Sequence, residues 1–257
     1  MTWQPISARD NPQLQRLRKL AQDGNAYRKL GSVWLEGDHL GRAALQRGLG
    51  PQLALITEEA AQQPALRELA ERAPRVLVVS SALFKTVSGL ESPAQIGFEL
   101  ALPATQDLTP GVDSVVLDRL QDAGNVGTIL RSAAALGFGQ VLALKGTAAL
   151  WSPKVLRAGM GAHFALRLVE GLGPEDLSRL QLPLLATSSH AAQQLHQVRL
   201  PRPCAWVMGH EGQGVQPALM ARCSLTLGIP QPGGEESLNV GSAAAICLYE
   251  SARQRLA

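Results

Sequence analysis

Residues 117–139 read LDRLQDAGNVGTILRSAAALGFG. An apolar run over 114–117 leads into a polar loop, 121–127, that carries Gly124, Asn125 and Gly127. A helical pattern built from Ile, Leu, Ala and Ser follows over 128–136. Strand, glycine-bearing loop and helix in that order make the opening of a βα unit. Further apolar runs at 140–144, 182–186, 205–208 and 225–229 predict strands, and 242–253 predicts a closing helix. Strands this uniformly apolar predict a largely parallel sheet covered on both faces. Ligands of such sheets bind outside the carboxyl ends of the strands.

The first half alternates separately. It predicts a helix over 12–30, with Leu14, Leu17 and Leu20 on one face. Strands are expected at 32–36, 53–57, 75–79 and 95–100, and helices at 39–47, 65–72 and 83–88. The fold class is therefore α/β throughout. The stretch 102–112, LPATQDLTPGV, has two prolines, a glycine and no periodicity, which marks a linker. The expected organisation is a basic helical segment over 1–31, a small α/β domain over 32–101, that linker, and a larger α/β domain over 113–257.

With 46% hydrophobic and 18% charged residues in 257, the chain is expected to bury a packed core rather than stay disordered. No apolar stretch approaches the ~18 residues that span a bilayer. The first ten residues lack a signal-peptide core, so a cytoplasmic location is expected. Cys204, Cys223 and Cys247 are scattered, which argues against a disulfide framework or zinc site, and no metal is expected. The net charge is only +3, but residues 1–31 set Arg9, Arg16, Arg18, Lys19, Arg28 and Lys29 against just Asp10 and Asp23. Such a segment suits RNA; the alternative is the solvated face of an amphipathic helix.

Three strand ends run into unusual loops. In the first, Asn125 lies in the loop and Arg131 one turn into the helix, where its forked donors suit a phosphate or carboxylate. The alternative is an ion pair with Asp118 or Asp122. The second, AWVMGHEGQGV over 205–215, carries Gly209, Gly212 and Gly214, which let the backbone turn and approach a ligand closely. Its Glu211 suits a ribose or cation, or bonds to the loop itself, and His210 is either a ligand contact or a solvent-facing side chain. The third, LGIPQPGGEESLNVGSAAAICLYE over 227–250, places Ser237 and Asn239 around Leu238 before a helix rich in small residues. Those two polar residues suit a pocket, or cap the helix. Ser242, Ala243, Ala244 and Ala245 allow close helix packing, in the core or across a dimer interface.

Together, NVGTILRSA, VMGHEGQGV and IPQPGGEESLNV closely resemble the signature blocks of the SpoU (TrmH-like) RNA 2′-O-methyltransferases of the SPOUT superfamily. The resemblance spans roughly residues 113–253. The first half, with SVWLEGDHL, is similar to that family's L30e-like RNA substrate-binding domain. The resemblance implies a C-terminal SPOUT α/β-knot with a trefoil knot, a homodimer with sites built from both subunits, and S-adenosyl-L-methionine as co-substrate. It implies catalytic roles for Asn125, Arg131, Glu211, Ser237 and Asn239. It implies cofactor contacts at Gly209, Ile229 and Leu238, with His210 and Gly214 beside them. RNA contacts are expected at Arg16, Arg18, Lys19, Arg28 and Lys29. Ribosomal RNA is favoured over transfer RNA, because relatives acting on transfer RNA often lack such a first domain.

His210 departs from the family's pattern of a small residue, Gln231 from a frequent Met, and Gly241 from a usual Ser. For Arg131 the family implies a general base. A guanidinium with a pKa above ~12 suits phosphate or alkoxide stabilisation as well. The rival readings are a base-methylating or transfer-RNA enzyme, and a non-catalytic RNA-binding protein that retains the fold. A nicotinamide-dependent enzyme is disfavoured, because the glycine spacing is G-x-x-G-x-G rather than G-x-G-x-x-G.

Overall fold

A computed structural model describes residues 2–104, 106–234 and 237–256. The chain packs as two compact units, the first holding residues up to 104 together with Trp151–Phe164, and the second the rest.

The first unit begins with β1 (Thr2–Pro5), α1 (Pro12–Gln22), α2 (Ala26–Leu30), β2 (Ser32–Glu36) and α3 (Asp38–Gln46). It continues with β3 (Leu53–Thr57), α4 (Pro64–Ala70), β4 (Arg75–Val79), α5 (Ser81–Val87) and β5 (Ile96–Ala101). The sheet order is β1-β4-β3-β5-β2. Strands β1, β4 and β3 are parallel, whereas β5 runs antiparallel to β3 and β2. Strand β1 was not expected from its sequence, since TWQP is polar and mostly exposed; it is held at the sheet edge by its pairing with β4. The helix expected over 12–30 is two helices. Asp23, Gly24 and Asn25 break it, with the Asn25 N–H donating to the Asp23 carboxylate at 2.9 Å, a local turn that competes with helix. Leu14, Leu17 and Leu20 all face the core, as their spacing predicts.

The second unit opens with β6 (Ser114–Asp118), α6 (Ala123–Ala135) and β7 (Gln140–Leu144). The chain then contributes α7 (Pro153–Gly159) to the first unit, where it packs on β2 and α1. This placement lies outside the expected boundary at 113. Pro153, Val155, Leu156 and Gly159 are buried while Lys154 is exposed, so α7 needs an apolar surface to cover. Back in the second unit come β8 (Arg167–Leu172), β9 (Leu184–Thr187), β10 (Gln193–Gln194), β11 (Ala205–Gly209), α8 (Pro217–Met220), β12 (Leu225–Gly228) and α9 (Val240–Leu256). Their sheet order is β10-β12-β9-β11-β6-β7-β8, and each pairing is parallel. Strands β6, β7 and β11 are buried along nearly their whole length, as a sheet covered on both faces requires.

The structure corrects one boundary that matters for the site. Helix α6 starts at Ala123, not 128, because the Asp122 carboxylate accepts the Asn125 N–H at 2.7 Å and caps the first turn. Asn125 therefore stands on a helix rather than in a loop, on a rigid base.

Packing in the first unit is tight at Gly97 on β5. A Cβ there would lie 2.2 Å from Cζ2 of Trp34, whose ring is only 2% exposed. Gly97→Ala is expected to destabilise by about 1–3 kcal/mol through overpacking, seen as a melting temperature several degrees lower in thermal denaturation. An unchanged transition would mean that the Trp34 ring is not held there.

Candidate active site

Parallel register brings the site together. Gly209 at the end of β11 pairs with Asp118 at the end of β6, and Leu227 of β12 pairs with Thr187 at the end of β9. The carboxyl ends of β12, β9, β11 and β6, four neighbours in the sheet, therefore share one edge. All three sequence blocks meet there, beside a cavity of about 720 Å³.

The loop after β11 is bound to the loop after β6 at several points. The Glu211 carboxylate accepts the backbone N–H groups of Gln121 (3.2 Å) and Asp122 (3.0 Å) and the Nδ2–H of Asn125 (3.2 Å). Asp118, with a fully buried side chain, accepts the Gln216 N–H at 2.7 Å and the Gln216 amide at 2.6 Å, and pairs with Arg119 at 3.2 Å. Arg119 in turn donates to Gln213 Oε1 at 3.0 Å. Gly209 lies so close to the returning loop that a Cβ would meet the Gly214 carbonyl carbon and the Val215 nitrogen at 2.2 Å. Gly214 has φ +66°, a conformation glycine adopts without strain.

The third block joins through Asn239. Its Nδ2–H donates to Asn125 Oδ1 at 2.9 Å, while its own Oδ1 accepts the N–H groups of Gly241 (2.9 Å) and Ser242 (3.2 Å). Capping and a place at the pocket, which the sequence allows to coexist, meet in this one side chain: it caps α9, bonds to Asn125 and lines the cavity. A Cβ at Gly241 would lie 3.1 Å from Asn239 Oδ1 and 3.2 Å from Thr128 Cγ2, so these neighbours would have to give by a few tenths of an ångström to admit the family's usual Ser. Glu235 and Glu236, between the cavity-lining Gln231 and Ser237, lie outside the described residues.

Burial pushes the Glu211 carboxyl upward in pKa, but its own backbone N–H, the Asp122 N–H, the Asn125 amide and the Gln121 N–H outweigh this and hold it below the usual carboxylate value. Glu211 is thus a poor base, and an anchored acceptor at neutral pH. Burial pushes the Cys204 thiol up to about 12 and Cys223 to about 11, so neither offers a thiolate.

Gly209, His210, Glu211, Gly214, Ile229, Ser237, Leu238 and Asn239 line the cavity, and Asn125 reaches it through its bonds to Glu211 and Asn239. Arg131 does not join them. It projects exposed from α6, and among the described residues its guanidinium has no hydrogen bond or ion pair. Asp118 and Asp122, its two candidate ion partners, are engaged by Gln216 with Arg119 and by the α6 cap. Sequence reasoning overlooked Thr187, Ser188, Ser189 and His190, which form another part of the wall. The usable signal was the run of small polar residues just beyond the apolar strand at 182–186, on the edge where parallel sheets bind ligands.

The five basic residues singled out in the first unit divide. Arg16 pairs with Glu99 at 2.7 Å and donates to the Leu30 carbonyl and Ser32. Arg18 donates to the Thr86 carbonyl and hydroxyl. Both are half-buried and serve the unit's own packing. Lys19, Arg28 and Lys29 are exposed, with the Arg28 guanidinium 5.0 Å above the Tyr27 ring. Among the described residues no group of three or more metal-ligating side chains occurs, and no helix is long and apolar enough to cross a membrane.

Comparison with known proteins identifies the family. The model of the SpoU rRNA Methylase family matches residues 114–249, and that of the MRM3-like substrate binding domain matches 11–97. The chain is 33% identical to an uncharacterised tRNA/rRNA methyltransferase of Synechocystis, over 98% of this chain and 94% of that one. It is 30% identical to RlmP of Bacillus subtilis, a 23S rRNA guanosine 2′-O-methyltransferase, over 86% and 88% of the two chains. An S-adenosylmethionine-bound rRNA methyltransferase from Sinorhizobium meliloti superposes with a TM-score of 0.83 at 26% identity, covering 99% of each chain. Two matched domains, and a relative 33% identical over nearly the whole of both chains, establish that the chain belongs to the SpoU methylase family.

Proposed function

We propose that the protein transfers the methyl group of S-adenosylmethionine to a ribose 2′-hydroxyl of ribosomal RNA, acting as a homodimer in the cytoplasm. The observation that carries this reading is the Asn239–Asn125–Glu211 chain of hydrogen bonds beside the cavity. Its size falls within the ~300–1,000 Å³ of small-molecule sites. The glycine backbone at 209 and 214, with Ile229 and Leu238, supplies a wall suited to the nucleoside part of the co-substrate. That molecule brings an electrophilic methyl group, so the protein's part is to orient the hydroxyl and steady its charge.

Within one chain the site offers donors rather than a base. The oxygens of Asn125, Asn239 and Glu211 are all engaged. Each amide nitrogen keeps a second N–H free to hold the ribose oxygen or its phosphate. Ser237 adds a hydroxyl on the same wall. Arg131 is assigned to the neighbouring phosphate and the developing alkoxide, where a planar cation is effective.

The second subunit explains where Arg131 acts. On α9, Ser242, Ile246, Tyr249 and Arg253 are exposed along one face, and on α6 Thr128, Arg131 and Ala135 are. The two helices pack side by side. Tyr249 is 58% exposed and Ile246 39%, an apolar stripe beside an unpartnered arginine. A second copy seated on this stripe would cover the apolar side chains and bring Arg131 to the other subunit's cavity. The trefoil knot belongs to the same reading; supporting it, β12 lies outside β9 while α9 returns to pack on β11 and α6.

Ribosomal RNA is favoured because a matched substrate-binding domain precedes the catalytic one and because RlmP acts on it. Lys19, Arg28 and Lys29 are the proposed RNA contacts of that domain.

Labelled S-adenosylmethionine and unmodified ribosomal RNA are expected to give ribose-methylated product with the wild type. Arg131→Ala should lose about 10²–10³-fold in rate, and Arg131→Lys, which keeps charge without the fork, at least about tenfold. Label in a base, or in transfer RNA alone, would replace this reading with the rival ones, and equal rates for Arg131→Ala and wild type would remove its assigned role. In ultracentrifugation the wild type is expected to sediment as a dimer, and Ile246→Asp with Tyr249→Asp as a folded, inactive monomer. A double variant that remained dimeric would place the interface elsewhere.

A further inference from the structure

His210 stands where the family resemblance leads one to expect a small residue, and the structure gives its ring a specific environment. Residues 210–214 form a closed turn: the His210 N–H donates to the Gly214 carbonyl at 3.1 Å, and the Gly214 N–H to the His210 carbonyl at 2.8 Å. Inside this turn the His210 Nδ1 accepts two backbone donors, the N–H of Gly212 at 3.0 Å and of Gln213 at 3.3 Å. A nitrogen that accepts from two N–H groups carries no proton, so in the neutral ring the proton sits on Nε2. Among the described residues Nε2 has no partner, and His210 lines the cavity. Glu211, which anchors the site to α6, is the next residue in the same turn.

We infer that His210 is a positioning residue that divides two tasks between its ring nitrogens. Nδ1 holds the turn that aims Glu211, and Nε2–H donates to an acceptor atom of the nucleoside co-substrate in the cavity. A small residue at this position could do the first task at most, so the imidazole adds a co-substrate contact to this chain. The inference rests on the transferase reading above.

Two substitutions separate the tasks, because Asn places an oxygen near the position of Nδ1 and Gln places an amide N–H near that of Nε2. His210→Asn should keep the turn and lose the contact. His210→Gln should do the reverse, and His210→Ala should lose both. Without any co-substrate, hydrogen exchange by NMR should show the Gly212 and Gln213 amides exchanging about tenfold faster in the Ala and Gln variants than in wild type and the Asn variant. Calorimetry with S-adenosylmethionine should show Kd raised about tenfold in the Asn and Ala variants but little changed in Gln. With ribosomal RNA and saturating co-substrate, kcat should fall mainly in Gln and Ala.

Circular dichroism on each variant separates these effects from unfolding. If all three folded variants match wild type, or if Asn and Gln fail identically in exchange and in binding, the division of tasks is wrong while the transferase reading stands. If folded wild type binds no S-adenosylmethionine, the transferase reading falls, and the Nε2 contact with it; the exchange rates alone then decide the Nδ1 task.

Discussion

The Glu211 carboxylate accepts two backbone N–H groups from the loop after β6 and one from the Asn125 amide. This is the joint on which the site depends. The loops it connects are separated by nearly ninety residues of chain, and neither has a core of its own. A charged acceptor bonded to several donors is worth more than a neutral pair, and here it also orients Asn125. Through Asn239 the same chain of bonds reaches the N-cap of α9. One carboxylate thus ties two helix starts and two strand ends into a single wall. Holding Glu211 below the usual carboxylate value keeps this joint charged. The bonding is complete above the range in which an unfolded carboxyl titrates, and is lost only as pH falls through the depressed folded value.

Much of this was legible in the sequence, for a reason that lies in sheet geometry. Apolar runs without alternation have to be interior parallel strands, and parallel neighbours present their carboxyl ends on one edge. Loops near Asn125, Gly209 and Ser237 were thereby directed to the same place before any contact was known. Other features required spatial information. Asp122 extends α6 back to Ala123 by capping it, and Asp–Gly–Asn breaks a seemingly continuous helix. Arg16 and Arg18 read as free cations because Glu99 and the Thr86 carbonyl lie 83 and 68 residues away. The polar TSSH run gave no periodic signal at all and entered the site only through the pairing of β12 with β9. Nor does the sequence near α7 reveal that its apolar face belongs to the first unit.

The arrangement separates holding from reacting. Within a chain, the oxygens of Asn125, Asn239 and Glu211 each accept from N–H donors of the fold, which leaves the second N–H of each amide and the Ser237 hydroxyl facing outward from this chain of bonds. The cation suited to stabilising an alkoxide, Arg131, stands outside on the exposed side of α6. Under the proposed dimer, a second copy would bring Arg131 to this wall, and activity would then depend on oligomerisation.

The central claim is that Asn125 and Asn239 act as one connected unit through their shared bond. A double-mutant cycle on methyl transfer, with Asn125→Ala, Asn239→Ala and the pair, tests it most directly. The account predicts that the double variant loses little more rate than either single one. Losses that simply multiply would show two independent groups and would contradict it.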